Sequence, residues 1–287
     1  MMYKKIYFLF TAIFAFSSLV RAQYQSYQAG GELGIGVGAS MYFGDLNPSD
    51  NLKPQGYTAG MYYQKYFDNY IGIRVAANYV RLHASDANNS NSVYKARNLN
   101  FTNNMAELSL AANFNFFNYA PGFPGHNFTP YVSLGVGGIY TNPFTLDSSG
   151  KKVYLRSLGT EGQNSSTPHD GKKYGPFAIV FPLSVGVRQA LSQKISLFAE
   201  VGYRFTTTDY LDDVSTTYAG AAAFNPANYK GSAAQAQLAQ QLQDRSANQN
   251  MGVQGWQRGN SAVKDSYLLI QIGVSYNFNK CNCPGVY

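Results

Sequence analysis

Residues 195–206, ISLFAEVGYRFT, alternate without a break. Side chains along a strand point to opposite faces in turn. Leu197, Ala199, Val201, Tyr203 and Phe205 therefore share one face, and Ser196, Phe198, Glu200, Gly202, Arg204 and Thr206 the other. The first face is wholly apolar and the second is mixed and charged. An acidic, hydroxyl-rich stretch follows, carrying Asp209, Asp212 and Asp213. Such a strand, feeding an elaborate loop, is the unit from which membrane barrels are built. A chain that repeats the unit has few other ways to fold.

The unit is repeated. Strands are expected over about 32–43, 56–67, 70–82, 105–117, 129–140, 177–190, 195–206 and 266–278. The first sets Leu33, Ile35, Val37, Ala39 and Met41 against Gly34, Gly36, Gly38 and Ser40. The second is Tyr-rich and its phase is ambiguous. The last sets Leu268, Ile270, Ile272, Val274, Tyr276 and Phe278 against Leu269, Gln271, Gly273, Ser275 and Asn277. Connections after the second, fourth and sixth strands are short, and the others are long. Asp68 and Asn69 supply the hairpin chemistry of the first short turn. In the longest loop, residues 231–245, GSAAQAQLAQQLQDR, are Ala/Gln-rich enough to form a helix. Strict long/short alternation around an even strand count gives an all-β fold: an eight-stranded antiparallel transmembrane β-barrel with short periplasmic turns and long extracellular loops. Tyr42, Phe43, Tyr79, Phe116, Phe117, Tyr140 and Phe205 are placed to form interfacial girdles.

Composition agrees but does not decide. Tyr numbers 24 and Gly 28, and 13% of residues are charged, which a soluble β-sandwich would share. The beginning of the chain separates the two. Lys4 and Lys5 precede the apolar run IYFLFTAIFAFSSLV, which ends at Val20-Arg21-Ala22, the layout of a cleaved export signal. Residues 1–22 are read as that signal, 23–279 as one barrel domain and 280–287 as a periplasmic tail. The formal charge of +7 falls by three, to +4, when Lys4, Lys5 and Arg21 leave, an ordinary balance that gives no argument for nucleic acid. Cys281 and Cys283, one residue apart in the tail, are too close for an unstrained disulfide and too few for zinc.

The interior of an eight-stranded barrel is just filled by its own side chains. The inward phase carries Arg74, Glu107, Arg188, Glu200 and Arg204. Buried charges need partners, so Glu107 and Glu200 are expected to bridge the arginines in a lattice that plugs the barrel and fixes its register. A proton or ion path is the other reading of these residues. His83, His126 and His169 have no matched Ser/Asp spacing, and neither GxSxG nor HExxH occurs. No enzyme, cofactor or metal is expected. Asp209, Asp212 and Asp213 could form half a calcium site, but their spacing fits no EF-hand, and loop capping by hydrogen bonds is the simpler role.

Five blocks carry a family resemblance: ELGIGVGASMYFGDL (32–46), MAELSLAANFNFF (105–117), FTPYVSLGVGGIY (128–140), AEVGYRFTTTDYLDDVSTTY (199–218) and QRGNSAVKDSYLLIQIGVSYNF (257–278). Together they resemble the PorG-type outer-membrane barrels of Bacteroidetes, associated with the type IX secretion system. TDYLDDVSTTY with the later RGN and Asp265-x-Tyr267 is the most specific part, and singles out Asp209, Tyr210, Asp212, Asp213 and Tyr218 as a rim motif. The resemblance implies a non-enzymatic barrel in outer-membrane lipids that docks to a periplasmic ring of PorK-type lipoprotein and PorN-type partner. Such a ring would meet the short turns, with Asp68 and Asn69, and the tail with Cys281 and Cys283. The alternative is a stand-alone structural or ligand-binding barrel of the OmpA or OmpW sort.

Overall fold

The structure, a computed structural model, describes residues 30–47, 52–53 and 55–278. The expected signal, the tail, Cys281 and Cys283 lie outside the described residues. Eight long strands form a closed antiparallel barrel. They are β1 (Glu32–Phe43), β2 (Gly56–Tyr66), β3 (Ile71–Ser85), β4 (Asn100–Asn115), β5 (Phe128–Tyr140), β8 (Phe177–Ala190), β9 (Ile195–Thr206) and β10 (Ser266–Asn277). The two remaining strands, β6 (Phe144–Leu146) and β7 (Lys152–Tyr154), make a small hairpin that extends the top of β4. Pairing of β1 with β10, from Glu32 opposite Asn277 to Phe43 opposite Ser266, closes the ring. No helix among the described residues is long and apolar enough to cross a membrane.

Alternation decides which way each side chain points. Leu33, Ile35 and Val37 on β1, Leu108 and Leu110 on β4, and Ile270, Ile272 and Val274 on β10 all face outward and are exposed. Every barrel strand contributes to this apolar belt, which far exceeds the apolar patch of a soluble monomer and suits hydrocarbon instead. The ambiguous strand resolves with Thr58, Gly60, Tyr62, Gln64 and Tyr66 inward. The inward glycines make room for long side chains: a Cβ at Gly34 would strike the Tyr62 ring, and one at Gly202 the Arg204 guanidinium.

Two expectations about strand ends change. β3 and β4 run further than expected and pair as far as Ser85 with Asn100. Above the belt their inward residues are apolar except Asn103, with Val80, Leu82, Ala84 and Phe101 all buried. The alternation that marks a lipid-facing strand has stopped there, yet the hydrogen-bonded ladder continues. Tyr42 is not a girdle residue, because its phase turns it inward, where it packs edge-on against Phe101. Phe43 faces outward but is covered, stacked on Tyr203.

The long connections pack together as a dome over the barrel mouth. The dome holds α1 (Ser92–Arg97), α2 (Leu155–Leu158) and α3 (Ala233–Gln243). A capping box, Ser232 with Gln235, starts α3, where the Ala/Gln run was expected to be helical. Leu211, Val214, Phe224, Tyr229 and Leu242 from the dome pack with Val80, Leu82, Ile139, Val180 and Leu269 from the strands in one apolar core. At the opposite end the turns are tight: 67–70 after β2, 116–127 after β4 and 191–194 after β8.

Candidate functional site

Three ion pairs fill the barrel from the short-turn end upward. Lowest is Arg188 with Glu32, at 3.2 Å, both fully buried. Glu32 also accepts hydrogen bonds from the hydroxyls of Tyr62 and Tyr66, each at 2.5 Å. The Arg188 guanidinium donates to the Tyr66 hydroxyl at 2.6 Å and lies 4.6 Å from the centre of the Tyr131 ring. Next comes Arg74 with Glu200 at 2.5 Å, where Tyr131 also donates to Glu200 at 2.8 Å. Highest is Arg204 with Glu107 at 3.5 Å, and Glu107 accepts from Tyr267 at 2.6 Å and Asn78 at 3.0 Å.

All five expected lumen residues are therefore inward and buried, but the lattice differs from expectation. Glu107 and Glu200 do not bridge the arginines. Each carboxylate takes one arginine, and Arg188 takes Glu32, which the sequence reading passed over. The signal was present, since Glu32 continues the inward phase of Gly34, Gly36 and Gly38 at the first position of β1. Between the upper two pairs remains a cavity of about 40 Å³, room for one or two waters. Tyr66, Tyr119 and Ala190 close the bottom, and Tyr119 pairs with Ser196 at 2.7 Å. With the apolar core above and this floor below, the lumen is sealed.

The rim motif is buried within the dome rather than displayed on it. Asp209 accepts from the Ser215 hydroxyl at 2.6 Å. Asp213, held at φ 69°, accepts from Thr160 and Tyr174, each at 2.5 Å. The Tyr210 ring lies flat on Tyr174 at 4.4 Å. Tyr218 is buried, with no hydrogen-bond partner for its hydroxyl among the described residues. Glu161, from the loop after α2, is the hub. It accepts from the Ser215 amide at 2.8 Å, from the Thr216 amide at 3.1 Å and hydroxyl at 2.7 Å, and it pairs with Arg258 at 3.0 Å. Arg258 donates in turn to the Asp213 carbonyl at 2.7 Å. The two sequence motifs of the family resemblance are thus one constellation. The RGN stretch clamps the DYLDDVSTTY stretch from the other end of the same loop.

Asp212 and Asp265 meet at one hydroxyl. Tyr42 OH lies 2.7 Å from an Asp212 oxygen and 2.8 Å from an Asp265 oxygen. A hydroxyl carries one proton, so the two carboxyls share a single donor there. Burial, with mutual repulsion added for Asp212, pushes both carboxyls well above the usual range. Burial likewise raises Asp209 to about 7, and Asp45 and Asp213 to about 6. Among the described residues no group of His, Cys, Asp and Glu is arranged to hold a metal ion, and the half calcium site resolves into hydrogen-bonded capping.

At the short turns, Asp68 accepts from the amides of Tyr70 and Ile71 at 2.7 and 2.6 Å. Asn69 is buried and donates to Asn118 at 2.7 Å. Asn69 is consequently a brace, not a contact residue, and the exposed surface there belongs to Phe67 and Tyr70. Glu161, Arg97, Asp86 and Asp45 were invisible from sequence because no periodicity governs loops.

Solved barrels of similar architecture include the N-terminal β-barrel domain of Pseudomonas aeruginosa OprF, at 9% identity and TM-score 0.37, covering 88% of this chain and 100% of that one. Neisserial surface protein A is 12% identical at TM-score 0.40, with 87% and 97% covered. The attachment invasion locus protein Ail of Yersinia pestis is 12% identical at TM-score 0.39, with 87% and 99% covered. No curated protein matches this chain. Residues 7–231 match the family described as "Domain of unknown function (DUF6089)", and the chain belongs to that family.

Proposed function

We propose that this protein is an outer-membrane barrel serving as a sealed, non-enzymatic scaffold, and that it anchors the periplasmic ring of a type IX secretion machine through its short-turn end. The observation that carries the scaffold reading is a closed lumen inside an apolar belt. A barrel filled by three buried ion pairs, with a cavity of about 40 Å³ between the upper two, leaves no wide path for protein or solute, so its work is done at its ends. In this orientation the long loops face outward and the short turns face the periplasm. Support for the anchoring role is the sequence resemblance to PorG-type barrels, whose most specific motifs are the clamped pair around Arg258 and Glu161. Phe67, Tyr70 and Leu191, exposed at the short turns, offer a small apolar contact, and several copies on a ring would add through multivalency.

Affinity purification from native membranes tests the anchor. PorK-like and PorN-like proteins should co-purify, and purification without any ring lipoprotein would overturn it. Steady large conductance in planar bilayers would overturn the sealed-scaffold reading. A second reading, a stand-alone structural or ligand-binding barrel, is favoured by the braced dome, which lies at the end away from any ring. Normal export of cargo in a deletion strain would select this second reading.

A further inference from the structure

Outward-facing residues of β1 change character near its top. Leu33, Ile35 and Val37 are 44–61% exposed, whereas Met41 and Phe43, on the same face, are 5% and 8% exposed. Part of the dome therefore folds down outside the barrel wall across β1, β10 and β9. Between that overhang and the wall lies a cavity of about 1010 Å³. Its wall is an aromatic shelf of Phe43, Tyr203 and Phe205 from the outer face, and its roof includes Met251, Trp256 and Val263. Ser266 sits beside the shelf, lets Phe43 stack on Tyr203 at 5.8 Å, and shares a hydrogen bond with the Tyr203 hydroxyl.

The shelf is continuous with the belt, because Phe205 and Tyr203 follow Val201 and Leu197 along one face of β9. Trp256 and Val263 remain 57% and 63% exposed at the mouth. The polar part of the cavity is mostly occupied with itself. Arg97 forks onto Asp86 at 2.7 and 2.8 Å, Arg258 is taken by Glu161, and Asp45 accepts from the Asn260 amide at 2.9 Å. Lys264, exposed at the edge, donates to the Ser261 carbonyl at 3.4 Å and forms no ion pair within 4 Å among the described residues. A cavity whose aromatic shelf continues the apolar belt, of the size that holds an extended small ligand, with a cation at its polar edge, fits one class of occupant.

We infer that this cavity binds an acyl chain of a bilayer lipid, laid along the Phe43–Tyr203–Phe205 shelf under Val263, with the lipid headgroup at Lys264. The inference rests on the membrane reading of the belt. The full-length protein is reconstituted in phosphatidylcholine–phosphatidylglycerol vesicles containing a lipid with a photoactivatable acyl chain, and labelled peptides are identified. Label is expected on belt strands and also on residues 251–265. Val263→Asp puts a charge in the roof and should lower labelling of 251–265 roughly tenfold, leaving the belt labelled. Val253→Asp, at an exposed valine that does not line the cavity, should leave both unchanged.

Trp256 is the chain's single tryptophan and gives an independent measurement. Lipids brominated on the acyl chain should quench it in the native protein and in Val253→Asp, and much less in Val263→Asp. A labelled belt with unlabelled 251–265, or equal labelling and quenching in Val263→Asp, overturns the acyl-chain site alone. An unlabelled belt overturns the membrane reading and the site with it.

Discussion

The lumen and the dome both bury many carboxylates, and they neutralise them differently. In the lumen each of Glu32, Glu107 and Glu200 has its own arginine and at least one tyrosine hydroxyl. In the dome Asp45, Asp209, Asp212, Asp213, Asp265, Glu161 and Asp86 share, among the described residues, only Arg97 and Arg258 as close ion-pair partners. Strands place partners by register, so a charge on one strand can be matched by a charge a fixed distance away. Loops have no such register, and their carboxylates settle against backbone amides and hydroxyls, or keep a proton. The lumen is held by fixed charges and the dome partly by protons.

The sharpest way to break the lumen is Arg188→Met, which leaves Glu32 buried without its cation. A loss of about 3–5 kcal/mol is expected, seen as a lower urea midpoint for the folded barrel. Adding Glu32→Gln should recover part of it, and no recovery would mean that packing, not charge, dominates. In the dome, Glu161→Gln removes the hub and leaves Arg258 buried and unpaired, at about 3 kcal/mol. That loss should stay local, appearing as faster protease cleavage within 207–265 while the barrel midpoint holds.

Acidity should separate the two regions. Unfolded carboxyls titrate near 4, whereas burial raises Asp45 and Asp213 to about 6 and Asp209 to about 7. Carboxyls raised by folding stabilise the dome at low pH, and that support is lost as pH rises through about 6 to 7. Hydrogen exchange in the dome should therefore quicken between about pH 4 and 7 beyond the intrinsic base-catalysed increase, while exchange in the lower strands follows the intrinsic rate. Asp212→Asn, which keeps a polar group at Tyr42 without a titrating proton, should flatten the response. The smallest effect is Ser232→Ala, which removes the cap of α3 at about 1 kcal/mol, read as faster exchange in 233–243 alone.

The barrel was legible because alternation is a property of sequence. The bounds of β1 and β8 follow from phase alone, and the short turns follow from where the phase resets. β2 was ambiguous because tyrosine serves on either face: Tyr57 and Tyr63 point outward, Tyr62 and Tyr66 inward. The upper ends of β3 and β4 were missed since the alternation inverts there, with Val80, Leu82 and Ala84 turned in to an apolar core and Arg81, His83 and Ser85 outward. The rim motif was recognised as special, but not as buried. Its meaning depends on Glu161, Arg258 and Tyr42, which lie 54, 45 and 170 positions away from Ser215, Asp213 and Asp212, the motif residues they touch. Only closure of the ring brings those segments together.

The shared core of dome and barrel has a kinetic consequence. Its apolar residues come from β1, β3, β4, β5, β8 and β10 as well as from the loops, so no loop has a finished surface to fold against until the β1–β10 seam has closed. Most of the dome's own contribution, from Leu211 to Leu242, enters on the segment immediately before β10. Zipping of the last strand into the sheet thus comes first and supplies the surface on which the outer cap is completed. A chain halted before that step has neither a closed wall nor a cap, and a loop grafted onto another barrel would arrive without the half of its core that this one supplies.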